Sequence, residues 1–136
     1  MNAETLFSLS NLVAVAGWLV LLAAPRSPKG LALAGTWIPL TLASLYLVLI
    51  ALHWGDASGS FSSLSGVAEL FSNRWLLLAG WTHYLAFDLF VGTWETRDAI
   101  ARGVSRWLLA PCLVLTFLFG PIGWLAYQIV RQRATK

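Results

Sequence analysis

"GWTHYLAFDLFVGTWETRDA", residues 80–99, decides how the fold is read. The run is apolar enough for a bilayer interior, yet it carries His83, Tyr84 and Asp88 at its centre. At about 100° per residue, Trp81, Tyr84, Asp88, Gly92 and Glu95 fall on one narrow helix face, and His83, Phe87, Phe90, Trp94 and Arg97 fall on another. An ionised aspartate at mid-bilayer costs about 3 kcal/mol on insertion scales, and such residues nearly always face the interior of a bundle. The stretch therefore reads as a membrane helix whose polar inner face has work to do, with Asp88 pointing inward.

Composition extends that reading to the whole chain. Of 136 residues, 58% are hydrophobic and 11% charged, whereas soluble domains carry about 25% charged residues. Four apolar runs, about 6–24, 31–52, 75–94 and 107–130, each reach the roughly 20 residues that a spanning helix needs. The expected fold is an all-α integral membrane protein, multi-pass, with residues 1–136 forming a single transmembrane domain built as a bundle of four helices. Between the second and third helices, "GDASGSFSSLSGVAELFSNR" (55–74) starts as a Gly/Ser-rich loop and then sets Phe61, Leu64, Ala68 and Phe71 at helical spacing. That pattern predicts a short amphipathic helix lying in the interface.

Four spans place both termini on one side. The loops after the first and third helices hold Arg26, Lys29, Arg97, Arg102 and Arg106, against Arg74, Arg131, Arg133 and Lys136 on the other side. The first hairpin then favours termini facing away from the cytoplasm. The closing cluster "RQRATK" reads as a headgroup anchor for the last helix. Glu4 stands where a secretory signal would carry a cation, so the first helix is expected to be retained.

Several function classes drop out. A net charge of +3, dispersed along the chain, offers no nucleic-acid surface. The single Cys112 has no disulfide partner within the chain and reads as packing. His53 and His83 differ in depth on their helices by about 12 Å, so no shared metal is expected. No phosphate-binding loop, serine elbow or CxxC pair appears, and no cofactor is implied. Pro39 and Pro121 each remove a helix hydrogen bond, freeing the carbonyls of Gly35 and Phe117, and open room for a ligand in the bundle. Trp81, Trp37 and Trp124 lie inside their helices, where they line a cavity or pack.

Asp88, His83 and Tyr84 are the catalytic candidates, because a carboxyl in an apolar interior favours its acid form and an imidazole its basic form. Trp81, Phe87, Phe90, Asn11, Glu95, Arg97 and Asp98 are the candidate ligand-binding residues. Glu95 is placed at the membrane edge with Arg97, Asp98 and Arg102, where Asp98 and Arg102 form an i,i+4 pair.

The stretch 80–99, followed by "PCLVLTFLFGPIGWLAY" (111–127), resembles the abscisic-acid-deficient-four-like family of small membrane proteins, as do Asn11 in the first helix and Pro25 at its end. The resemblance implies a four-helix membrane protein of carotenoid or xanthophyll metabolism. In plants the family is needed to convert violaxanthin to neoxanthin. It implies a cofactor-independent isomerase that opens a 5,6-epoxide; the chemistry of the residues themselves assigns Asp88 as acid, His83 as base, Tyr84 to orient or to supply the proton, and Trp81, Phe87 and Phe90 to pack against the polyene. The alternative is a protein that binds or presents a carotenoid or other isoprenoid without turnover, or assists a carotenoid enzyme. The expected partners are the lipid bilayer and a lipophilic polyene or isoprenoid ligand, with a homo-oligomer left open. Compactness and the lack of a transit extension point to a bacterial inner membrane.

Overall fold

The computed structural model describes residues 2–133. Helix α1 (Ala3–Ala23) is capped by Asn2, whose side chain accepts from the Thr5 N–H. After the turn at Pro25, Ser27 caps α2 (Pro28–Ala32), which runs through a π-helical turn at Leu33–Trp37 into α3 (Ile38–His53). The wide turn sits just ahead of Pro39, which has no N–H to donate, so the irregularity falls where the ladder would be broken anyway. A short 3-10 turn, Trp54–Asp56, leads to α4 (Leu64–Leu70), and then come α5 (Arg74–Arg102), α6 (Arg106–Phe119) and α7 (Pro121–Arg133). The described residues contain no strand.

The bundle is organised around α5. Its first half packs on α3 through Leu49, Leu78 and Ala79. Its second half meets α1 and the π turn where small residues permit close approach. The Trp18 ring lies over Gly92, Leu89 fills the space beside Gly17, and Thr93 fits against Gly35. α5 continues to Arg102, well past residue 94, and ends at Gly103, whose φ of 69° closes the last turn onto the Ala99 and Ile100 carbonyls.

The expected fourth span does not exist as one helix. Gly120 (φ 49°) ends α6, and Pro121 begins α7. α6 leaves the Arg102 end of α5 and brings Gly120 beside the Asp88 carboxylate, so it runs antiparallel to α5. α7 then carries Tyr127 and Arg131 back to Asp98. Gly123 packs directly on the Thr116 backbone, although in a straight helix the two would stand about 10 Å apart. The sequence 107–130 is thus a helical hairpin. Its arms, 14 and 13 residues long, each fall short of the roughly 20 residues that cross a bilayer. A kink was expected at Pro121, but the left-handed glycine before it permits a full reversal, and buried partners on α5 hold the reversal in place.

Among the described residues, α1 and the continuous helical stretch Pro28–Asp56 are long and apolar enough to cross a membrane. α5 has the length, but its polar residues lower its hydropathy. A helix does form in that segment, as α4, with Gly66 and Leu70 buried and Leu64 and Ala68 facing outward, while Phe61 and Phe71, partly exposed, border a groove against α5. Trp37 and Trp124 also face outward.

The hairpin also overturns the expected placement of the termini. Glu4 pairs with Arg74 at one end of the bundle, and Arg131 pairs with Asp98 at the other. α1 therefore begins, and α7 ends, at opposite ends. Lys136, counted in the sequence with the basic tail, lies outside the described residues, as does the rest of 134–136. Of the eight described cations, seven (Arg26, Lys29, Arg97, Arg102, Arg106, Arg131 and Arg133) gather at the Arg102 end, and only Arg74 is at the other.

Gly123→Val should lower stability by about 1–3 kcal/mol or more, because the added side chain meets the Thr116 backbone and the hairpin cannot close. Denaturation of the purified protein in detergent reads this, with the outward-facing Val114→Ala as a near-neutral control.

Candidate functional site

The helical period of α5 distributes the predicted residues over two walls. Tyr84, Asp88 and Glu95 face the hairpin, whereas His83, Phe87 and Phe90 face outward. His83 stands 5.7 Å, ring to ring, from Tyr46 on α3 and 4.7 Å from Phe87. It lines a groove of about 500 Å³ under α4, walled by Tyr46, Trp54, Phe61 and Phe71. His83 and Asp88 are therefore not brought to one centre, and their pairing as base and acid on one substrate ring is not available from α5.

On the hairpin wall, Asp88 packs against Gly120, and its Oδ2 is buried with no hydrogen-bond partner. One turn earlier the Tyr84 hydroxyl donates to the Phe117 carbonyl at 3.4 Å. That carbonyl is the group freed by Pro121, so the sequence did identify the acceptor. Tyr84 also interacts with the Asp88 carboxylate and lines a groove of about 190 Å³ between α1, α5 and α6, walled by Asn11, Val15, Trp81, Leu85, Phe117 and Leu118. Trp81 donates its indole N–H to Asn11 Oδ1 at 3.0 Å, and its ring lies 5.3 Å from that of Tyr84. Past Trp81 the seam continues into a second groove of about 320 Å³ between Phe7, Leu77 and the Glu4–Arg74 pair. Asp88 is not on the wall of this seam and lies behind Tyr84.

Glu95 was expected at the membrane edge. It is instead fully buried, and both carboxylate oxygens accept from Thr116 Oγ1 at 3.1 Å. The misplacement followed from ending the third helix near residue 94, when α5 runs on for two further turns. Arg97 and Asp98 do occupy the end of the helix, but they part company. Arg97 reaches the Leu31 carbonyl at 3.4 Å. Asp98 receives Arg102 Nε at 2.9 and 3.0 Å, Arg131 Nη2 at 2.9 Å and the Tyr127 hydroxyl at 2.7 Å. The Arg131 guanidinium also stacks over the Trp94 ring, 5.2 Å from its centroid. Sequence reasoning missed Arg131. The signal was present in Tyr127 and Arg131 sharing one helix face at i,i+4. Among the described residues, no group of three or more His, Cys, Asp or Glu is placed to hold a metal.

A family profile described as ABA4-like, ABA DEFICIENT 4-like, matches residues 5–127. The chain belongs to the ABA DEFICIENT 4-like family. It is 24% identical, over 139 residues, to the Arabidopsis thaliana protein named "Protein ABA DEFICIENT 4, chloroplastic". The match covers 95% of this chain and 61% of the relative, so the chain spans less than two thirds of that protein's length. No solved structure matches. The expectation of a bacterial inner membrane does not stand, because this relative is named as a chloroplastic protein of a plant.

Asp98 lies beyond the apolar stretch of α5. Burial alone would raise its carboxyl, but the hydrogen bonds from Tyr127 and Arg102 and the charges of Arg131 and Arg102 hold it below the ordinary carboxylate value. A group lowered in the native state stabilises the fold above its unfolded value, and that contribution is lost as pH falls through the native value. The stability gap between wild type and Asp98→Asn should therefore be full near neutral pH and close as pH drops below about 4. Melting curves of both proteins across that range check it, and a gap unchanged at about pH 3 would contradict the clamp.

Proposed function

We propose that the chain is a membrane-embedded protein of carotenoid metabolism that receives the oxygenated ring end of a carotenoid at Tyr84, with the polyene lying along the seam between α1 and α5. Membrane embedding is supported by how little of the long apolar helices is covered. Only 28% and 22% of their most apolar windows are buried within the protein, and leucines such as Leu12, Leu19, Leu47 and Leu52 stand 60–67% exposed. A core helix of a soluble protein would be covered on most sides. The chain then crosses the bilayer three times, and the hairpin re-enters from the Arg102 end. The seven cations at that end favour its lying on the side from which the chain is inserted.

The observation that carries the reading is the position of the Tyr84 hydroxyl on the wall of an apolar seam, with the unpartnered Asp88 Oδ2 behind it. From Arg74 to Tyr84 the seam extends about 15 Å along α5, and Phe7, Trp81 and Phe117 give it the aromatic surface that packs on a polyene. Acid-assisted opening of a 5,6-epoxide needs a proton at the oxygen. Tyr84 delivers it and Asp88 replaces it, and the pair thus emptied takes a proton back from the adjacent polyene carbon. The net change is an isomerisation in which proton donor and acceptor are the same pair. His83 has no part in this scheme.

Binding without turnover is the second reading, and one observation favours it. His83, the residue expected to act as base, lies on the opposite wall of α5. Incubating membranes that contain the protein with a 5,6-epoxy xanthophyll, and resolving the pigments by chromatography, separates the two. For an enzyme, Asp88→Asn and Tyr84→Phe should each reduce conversion by about two to four orders of magnitude, and His83→Ala should leave it near wild type. Purified wild-type protein that carries unaltered pigment and converts none would exclude turnover.

Topology is tested separately by labelling single cysteines introduced at residues 28 and 133 in a Cys112→Ala background. Both should react with an impermeant thiol reagent from the same side of the membrane, whereas four complete spans would place them on opposite sides.

A further inference from the structure

The seven cations at the Arg102 end are not used equally. Asp98, the one carboxylate described there, already holds Arg102 and Arg131. Arg26, on the turn between α1 and α2, and Arg106, at the start of α6, have no ion-pair partner among the described residues. Both line a single groove of about 370 Å³, closed by Pro25, Ala99, Val104 and Leu109. A narrower groove of about 50 Å³ continues from it along the seam between α1 and α6, past Leu21, Leu22 and Leu113, and shares Pro25, Arg106 and Leu109 with the first. The Arg106 guanidinium sits 5.6 Å from the centroid of the Trp107 ring, at the junction of the two.

A groove bordered by two arginines and otherwise lined mostly by small and aliphatic side chains, continuing toward the outward-facing Trp107 ring, has the outline of a lipid. We infer that this pair of grooves is a binding site for a membrane lipid with an anionic headgroup, held through its phosphate or sulfonate oxygens by Arg26 and Arg106, with an acyl chain laid along Leu22, Trp107 and Ala110. Arginine suits the headgroup because its planar fork engages two such oxygens at once. Basic pockets between membrane helices on the inserted side recognise lipids in this way. A free anion would satisfy the two charges but leave the Trp107 ring, 80% exposed, and the partly open Leu22 uncovered, which is why the lipid is the occupant. The lipid would also tie the base of the hairpin to the end of α1, two segments joined there by no ion pair among the described residues. The inference rests on the membrane reading above, though not on turnover.

The test uses the purified full chain in detergent, offered equal amounts of dioleoyl phosphatidylglycerol and dioleoyl phosphatidylcholine, with retained lipid counted by native mass spectrometry. Wild type should retain the anionic lipid in about tenfold preference, the scale expected of two basic side chains at a membrane surface. The double variant Arg26→Gln/Arg106→Gln should fall to about threefold or less, and Arg133→Gln, a cation of the same end outside the grooves, should keep the preference. Equal retention of the two lipids by wild type, an equal loss in Arg133→Gln, or displacement of the lipid by inorganic phosphate would each overturn the site. Flotation with neutral phosphatidylcholine vesicles reads the membrane assignment by itself. A protein that floats but shows no lipid preference sinks this site alone, and one that does not float sinks both.

Discussion

A carboxyl group with no route to water must be hydrogen-bonded where it lies, and Glu95, with 0% of its surface exposed, is the strictest case in this molecule. Its donor, Thr116, is on another helix, so α6 has to lie flat on the second half of α5. The rest follows from that contact. With Thr116 at the level of Glu95, Gly120 comes beside Asp88, and a chain that must end buried groups on partners has reason to turn back there. The returning arm then supplies Tyr127 and Arg131 to Asp98. Three acidic residues on one helix, about two turns and one turn apart, thereby specify the position of the last two helices.

The same contact separates the two chemistries of α5. The face that carries Tyr84 and Asp88 is committed to the hairpin and to the seam beside α1, while the face that carries His83 is left to α3 and the α4 segment. One helix thus borders two apolar grooves, each with a single kind of polar group. Tyr84 borders the groove between α1, α5 and α6, with Asp88 behind it against Gly120. His83 stands in aromatic surroundings, with Tyr46 and Phe87 against its ring.

Much of this was legible in the sequence where local periodicity decides. The division of α5 into one face with Tyr84, Asp88 and Glu95 and another with His83, Phe87 and Phe90, a first helix covering most of 6–24 and a helix near residue 64 all follow from a 3.6-residue repeat. The illegible part was tertiary. Residues 107–130 have the length and hydropathy of a span, and "FGPIG" is as compatible with a bend as with a reversal. What distinguishes the two is whether Thr116 finds Glu95 and Arg131 finds Asp98, and those pairs are 21 and 33 residues apart. Glu95 was misjudged for the related reason that the end of α5 was taken from where the apolar run stops, while the helix itself continues to Gly103.

The reversal at Gly120 has a consequence for how the chain is made. A span enters the bilayer on its own hydrophobicity, one segment at a time as it leaves the ribosome. Neither arm of the hairpin is long enough to do so. Each also brings polar side chains whose partners sit on α5 and are unavailable until that helix is in place. On the membrane reading proposed above, α6 and α7 are a late-docking unit, inserted by recognition of a surface already assembled. The last thirty or so residues of the chain read out whether the first hundred have folded.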